Sequence, residues 1–337
     1  MIKYFNILTA LVLLAASCKK ENAYDKIPAT GAVKIEPWIR YEQLLAGINT
    51  ANEAPGLHRL VEAHQEFSLV YFLRVINDSY KPDTSFARIF DLYAKSPVIR
   101  DLKDTLPKVF GDLRPEEKAY AEAFARLSTL LSGTVVPRVY TCLTEFGVGV
   151  FSTSDTIMGL SLDMYFGSGN KYYNTETWPV YIQRTMNREN IVSNLLKNYI
   201  RNSVLPQVEP RTLLDHMIDQ GKEVYLLRRL IRPEQDTLIY DYSKEQLQFC
   251  RDNEKQMWAY FLAEKLIYSD QYKKIQKFVT PAPSSPGMPP AAPGRTSAYL
   301  GGQIIEAYME RHPQMDVRKM LANTDSQRIL EEARYKP

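Results

Sequence analysis

The chain has 337 residues, with 42 Lys and Arg against 39 Asp and Glu and a formal net charge of +3. That balance, with no basic block, argues against nucleic-acid binding. Beyond the first residues no segment is long and apolar enough to span a membrane, and residues 18–337 suffice for one large domain or two small ones.

The N-terminus has the layout of a secretory signal peptide over residues 1–17: Lys3, a short apolar run from Ile7 to Ala16, then small residues. Leu14-Ala15-Ala16-Ser17-Cys18 resembles the lipobox of bacterial lipoproteins, in which Cys18 becomes the first mature residue and carries acyl chains. Two or more chains anchor stably, where one is marginal. In an ordinary signal peptide Cys18 would be incidental. Residues 18–40 are polar and read as a tether, leaving 41–337 as a single domain. Of the cysteines, Cys142 and Cys250 remain, and both a disulfide and two lone buried thiols stay open.

Along the domain, the spacing of Leu57, Leu60, Val61, His64, Ser68, Tyr71 and Val75 predicts a helix over Glu53–Asn77. His64 falls on that stripe and reads as a hydrogen-bonded core histidine. His58 falls off it and should be solvated, and His312, before Pro313, should end a helix. Arg114-Pro115-Glu116-Glu117 opens a helix that runs to about Leu131, with Pro near its first turn and acids facing its dipole. Three short strands are predicted within about residues 135–166, mostly antiparallel, with a hairpin of Val148–Ser152 and Thr156–Tyr165 around Ser154-Asp155. Ser152, Ser154 and Asp155 suit a turn. Asp163 is either a strand-end polar residue or a cleft residue. Helical spacing returns over Arg188–Asn202, Thr212–Leu230, Ser243–Tyr268 and Gly301–Arg311. Between the last two lies a proline-rich loop, residues 280–294, without a packing signal. The fold class expected is α+β, predominantly helical, with one small central sheet.

In RTLLDHMIDQGKEVYLLRRL, Asp215, His216 and Asp219 have the chemistry of metal ligands. On a helical wheel Leu213, Leu214, Met217, Ile218, Gly221, Val224 and Tyr225 share one face. Asp215, Asp219 and Glu223 fall roughly opposite, with His216 beside them, so a solvated polar face is expected. Gly221 lies amid the apolar face, where glycine costs ~1 kcal/mol relative to alanine. A close backbone approach by the sheet or a neighbouring helix would explain it.

Taken together, PEEKAYAEAFARL, VVPRVYTCLTEFGVGV, DTIMGLSLDMYFG, LLDHMIDQGKEVYLL, EKQMWAYF, PGRTSAYLGGQIIEAYM and the final YKP resemble the gliding-motility lipoprotein GldB family of Bacteroidetes, lipobox included. The resemblance implies a lipid-anchored, periplasm-facing envelope protein of the gliding and type IX secretion machinery, with other envelope proteins of that machinery as partners and the membrane reached through Cys18. It also implies a distant likeness to HExxH zinc peptidases, as a degenerate zincin-like fold. In that likeness Asn194 and Asn198 stand where zinc-binding histidines would, and Gln220-Gly221 where Glu-Gly would. Amides bind zinc poorly and no glutamate lies between the two asparagines, so no metal, no cofactor and no catalysis are expected. A groove surviving without metal would hold an extended partner segment by strand addition, around Thr156–Tyr165, with Asp163, Tyr165, Gln220 and Lys222 as candidate contacts. The alternative is a divergent metal-dependent hydrolase using Asp215, His216 and Asp219.

Overall fold

The computed structural model describes residues 22–29, 33, 35–48, 53–76 and 85–337. Helices dominate. Six precede most of the sheet: α1 (Tyr41–Ala46), α2 (Glu53–Ala63), α3 (Gln65–Val70), α4 (Phe86–Lys95), α5 (Pro97–Phe110) and α6 (Arg114–Leu130). The rest follow it: α7 (Val180–Gln183), α8 (Ile191–Tyr199), α9 (Leu213–Leu230), α10 (Thr237–Tyr240), α11 (Lys244–Asp252), α12 (Glu254–Ala263), α13 (Tyr272–Val279), α14 (Thr296–Arg311), α15 (Val317–Ala322) and α16 (Ser326–Ala333). The predicted helix over 53–77 is broken at His64, whose backbone leaves the helical region at φ −130°, and beyond α3 it widens into a π-helical turn, Tyr71–Ile76. Asn77 lies outside the described residues. His64 Nδ1 meets the Tyr140 hydroxyl at 3.2 Å, so it is hydrogen-bonded. His58 is exposed beside Glu62, and His312 follows the end of α14.

The sheet has four strands: β1 (Ile39–Arg40), β2 (Arg138–Cys142), β3 (Val150–Ser154) and β4 (Ile157–Ser161). Their order is β1-β2-β4-β3. β1 runs parallel to β2 and β2 parallel to β4; the one antiparallel pair is β3 with β4. This corrects the expectation of a mostly antiparallel sheet. The hairpin around Ser154-Asp155 forms as expected, but it places β3 at the edge, so β4 enters the sheet beside β2 in the same direction. β1 joins from the segment expected to be tether, with α1 to α6 forming the long crossover that a parallel pair requires. The predicted second strand stops at Ser161, and Leu162–Tyr165 is a 3-10 turn.

An aromatic cluster covers one sheet face. Phe67 stacks on Tyr140 with centroids 4.3 Å apart, and Tyr41 meets Phe67 edge-on at 4.9 Å. Gly159 lies opposite Phe151 across the hairpin, and a Cβ there would strike the Phe151 ring. On the other side α9 is the central helix. Thr212 and Asp215 close a reciprocal capping box at its start. It packs on α6, α8, α13, α14 and α16. Against α14 the backbones touch: a Cβ on Gly221 would collide with the Gly301 carbonyl, and one on Gly301 with the Met217 carbonyl. The neighbour that Gly221 admits is therefore a helix.

Two further expectations change. The proline-rich loop is packed: Ser285 and Ala292 are buried, and the Ser285 hydroxyl donates to the Pro293 carbonyl at 2.6 Å. Part of the tether is seated on the domain as well. Arg126 Nη1 donates to the Tyr24 carbonyl at 2.8 Å and also to that of Ile27, and its guanidinium lies 3.5 Å from the Tyr24 ring centroid. Cys142 and Cys250 are separate buried thiols.

Candidate binding groove

β3 has β4 on one side and no strand on the other among the described residues. At the start of that edge, beside Val150, lies a groove of about 370 Å³. Gly147–Val150 form one wall, α8 the floor, and Trp178, Ile182, Thr185 and Met186 the far wall. The strand is half-buried throughout. Such an edge presents backbone donors and acceptors that a strand would pair.

The floor is polar because α8 and the π-helical turn that continues it, Ile200–Val204, turn Asn194, Lys197, Asn198, Arg201 and Asn202 to it, residues three, four and eight apart on one helical face. Asn198 Oδ1 accepts from the Ser152 hydroxyl at 2.6 Å, which ties the helix to the edge strand. Asn194 Nδ2 donates to the Tyr165 hydroxyl at 3.1 Å. The opposite face of α8, with Val192, Ser193 and Leu196, lines a different hollow beside Tyr24, Glu122 and Arg232.

Beneath the floor lies a buried charge network. Arg201 forms a two-pronged ion pair with Glu223, through Nε and through Nη2 at 2.8 Å from Oε1. Arg295 Nη2 sits 3.0 Å from Glu223 Oε1, and its Nη1 3.6 Å from Asp241 Oδ2. Lys197 Nζ donates to Asp241 Oδ1 at 2.5 Å and to the Leu238 carbonyl at 2.7 Å. Burial pushes the Glu223 carboxyl up, but the Arg201 and Arg295 charges outweigh it and hold it at about 2. Burial depresses the Lys197 ammonium against the opposing pull of Asp241. Asp241 and Arg295 both adopt the left-handed backbone, at φ 63° and 60°, a conformation that is costly for a residue as large as arginine.

The four candidate contacts are not brought together. Tyr165 lines the groove, through its hydroxyl. Asp163 is fully buried behind the wall. It accepts from the backbone N–H of Phe146 at 2.8 Å, from that of Thr144 at 3.2 Å, and from the Ser161 hydroxyl at 2.5 Å. It thereby fixes a turn in which Glu145 and Phe146 are both left-handed, and that turn positions the Gly147–Val150 wall. Burial raises the Asp163 pKa, and these bonds oppose the rise. Gln220 and Lys222 point elsewhere. Gln220 Nε2 donates to the Val279 carbonyl at 2.8 Å, and the buried Lys222 Nζ donates to the Asn323 carbonyl at 2.6 Å. Glu223, one turn on from Gln220 in α9, is the side chain that meets Arg201 just past α8. Thr156–Tyr165 offers no edge, because β4 lies between β2 and β3. Cys18 lies outside the described residues.

Asp215 caps α9, accepting from the Thr212 N–H at 2.9 Å. Asp219 stands 3.9 Å from Lys222, and burial lowers the His216 pKa. Among the described residues no group of three or more His, Cys, Asp or Glu converges to hold a metal ion. A larger hollow, about 590 Å³, opens between α1, α4 and α5 and is mainly apolar. Its rim reaches Ile48, next to residues outside the description, and carries the ion pairs Arg40–Glu42 and Lys95–Asp91.

Among the described residues, no helix is long and apolar enough to cross a membrane. No curated protein and no solved structure matches the chain, so the expected likeness to zinc peptidases gains no support. One family does match, a lipoprotein family described as gliding motility protein GldB, over residues 17–337. The chain belongs to the GldB family of gliding motility proteins.

Proposed function

We propose that this chain is a lipid-anchored envelope component of the gliding and type IX secretion machinery that works by holding an extended segment of a partner protein, without catalysis. The anchor is Cys18. The observation that carries the reading is the open edge of β3 above the polar face of α8. An added strand would pair its backbone with β3, while Asn194, Asn198 and Asn202 would meet its side chains.

Two separate perturbations test it. Thr185→Trp and Asn202→Trp together fill the groove from positions outside the core. Cys18→Ala removes the anchor. Each is expected to abolish gliding or secretion in the native cell. The groove variant should keep its fold and its membrane association, and the anchor variant should appear in the soluble fraction. Normal gliding and secretion in both would overturn the proposal.

A further inference from the structure

We propose that the segment held along β3 presents a carboxylate, at its C-terminus or on a side chain, and that Arg201 binds it. This inference rests on the groove being a peptide cleft and adds the chemistry of what it selects.

Three cations, Lys197, Arg201 and Arg295, meet two carboxylates, Glu223 and Asp241, leaving one positive charge in excess. In a neighbouring hollow that shares Ile182, Thr185 and Asp241, Arg184 bonds the neutral side chain of Gln246 and faces the Glu245 carboxylate, so it leaves that excess unchanged. Four of the five network residues are buried or nearly so, and the excess is expressed at the exposed one, Arg201. A depressed Lys197 would shrink the excess, but the guanidinium of Arg201 stays charged at any physiological pH.

Geometry then selects the residue. Lys197 and Arg295 are buried and turned to Asp241, Glu223 and the Leu238 carbonyl. Arg201 is half exposed and lines the groove. Its Nε and Nη2 are taken by Glu223, which leaves Nη1 without a protein partner among the described residues. Glu223 locks the fork in place, so little side-chain freedom remains to be lost on binding. A guanidinium held this way matches a carboxylate through a charge-assisted hydrogen bond. Asn194, Asn198 and Asn202 on the floor are neutral amides, and the one carboxylate lining the groove, Asp241, is already paired with Lys197 and Arg295.

The test uses the full-length protein in detergent and three fluorescently labelled eight-residue peptides of alternating Val and Thr. One ends in a free carboxylate, one in an amide, and one in an amide with a central Thr replaced by Glu. Anisotropy titrations should show at least one acidic form binding about tenfold tighter than the neutral amide, a gap of ~1.4 kcal/mol. Which acidic form gains tells a C-terminal from a side-chain acid. The advantage should vanish in Arg201→Gln and persist in Arg201→Lys, which keeps the charge; circular dichroism verifies the fold of both. Should Arg201→Gln not fold, Arg201→Met takes its place, and an acidic advantage that survives there overturns the assignment to Arg201. Equal binding of all three peptides overturns the carboxylate and leaves the groove standing. Binding of none at millimolar concentration overturns the groove as well.

Discussion

Glu223 is the residue on which the candidate site is built. It is 2% exposed and holds two arginines from different elements, Arg201 after α8 and Arg295 before α14. Truncation to alanine leaves Arg201 without its carboxylate and Arg295 with Asp241 alone. Breaking a buried pair from one side costs about 3–5 kcal/mol. Glu223→Ala should therefore lower the urea midpoint far more than Glu223→Gln, which keeps an acceptor. The pH dependence has a definite sign. A carboxyl depressed in the fold contributes stability that is present above its unfolded value and lost as pH falls toward about 2. Urea melts between pH 5 and pH 2.5 should lose more stability in the native protein than in Glu223→Gln. Equal losses would place the acid sensitivity elsewhere. This role was not legible in the sequence. A helical wheel sends an acidic arc to solvent, but Glu223 lies on a helix packed on several sides, where the same arc becomes a buried ion-pair seam. Gly221 was legible, because glycine in an apolar stripe needs a reason.

That glycine belongs to the pairing of α9 with α14. In an isolated helix Gly→Ala would stabilise by ~1 kcal/mol. Here a methyl group at Gly221 or Gly301 meets backbone rather than a side chain that can move aside. Both Gly221→Ala and Gly301→Ala should destabilise by about 1–3 kcal/mol, the usual cost of overpacking, and their combination should cost less than the sum because one displacement relieves both. Chemical denaturation of the three variants checks this; a stabilised single variant would contradict it. The sheet shows what elements hide. Strand character in residues 135–166 was readable from β-branched and aromatic residues, and the hairpin from its turn. Strand order was not, because β4 pairs on its other side with β2, in the same direction, and β2 in turn takes β1 from before α1. The stretch from Phe86 to Phe110, given no assignment from sequence, forms α4 and α5 around Ile89, Phe90, Tyr93, Ile99, Leu102, Leu106 and Phe110.

At the scale of the whole molecule, the N-terminal segment is a part of the fold. Arg126 is buried and joins Tyr24 and Ile27 to α6. Arg126→Ala removes a charged donor from two carbonyls, a loss of about 1–3 kcal/mol. Limited proteolysis should then cut among residues 22–40 well before the rest of the chain, which the native protein resists. Unchanged cleavage would show that Tyr24 and its neighbours are held by other contacts. Seating Tyr24 on α6 also fixes a leash. Asn22 is four residue steps from Cys18, and a fully stretched chain covers at most ~14 Å over that distance. An acylated Cys18 would keep the α6 flank against the lipid headgroups, and the other flank of α8, with its asparagines and Arg201, would look outward into the aqueous compartment.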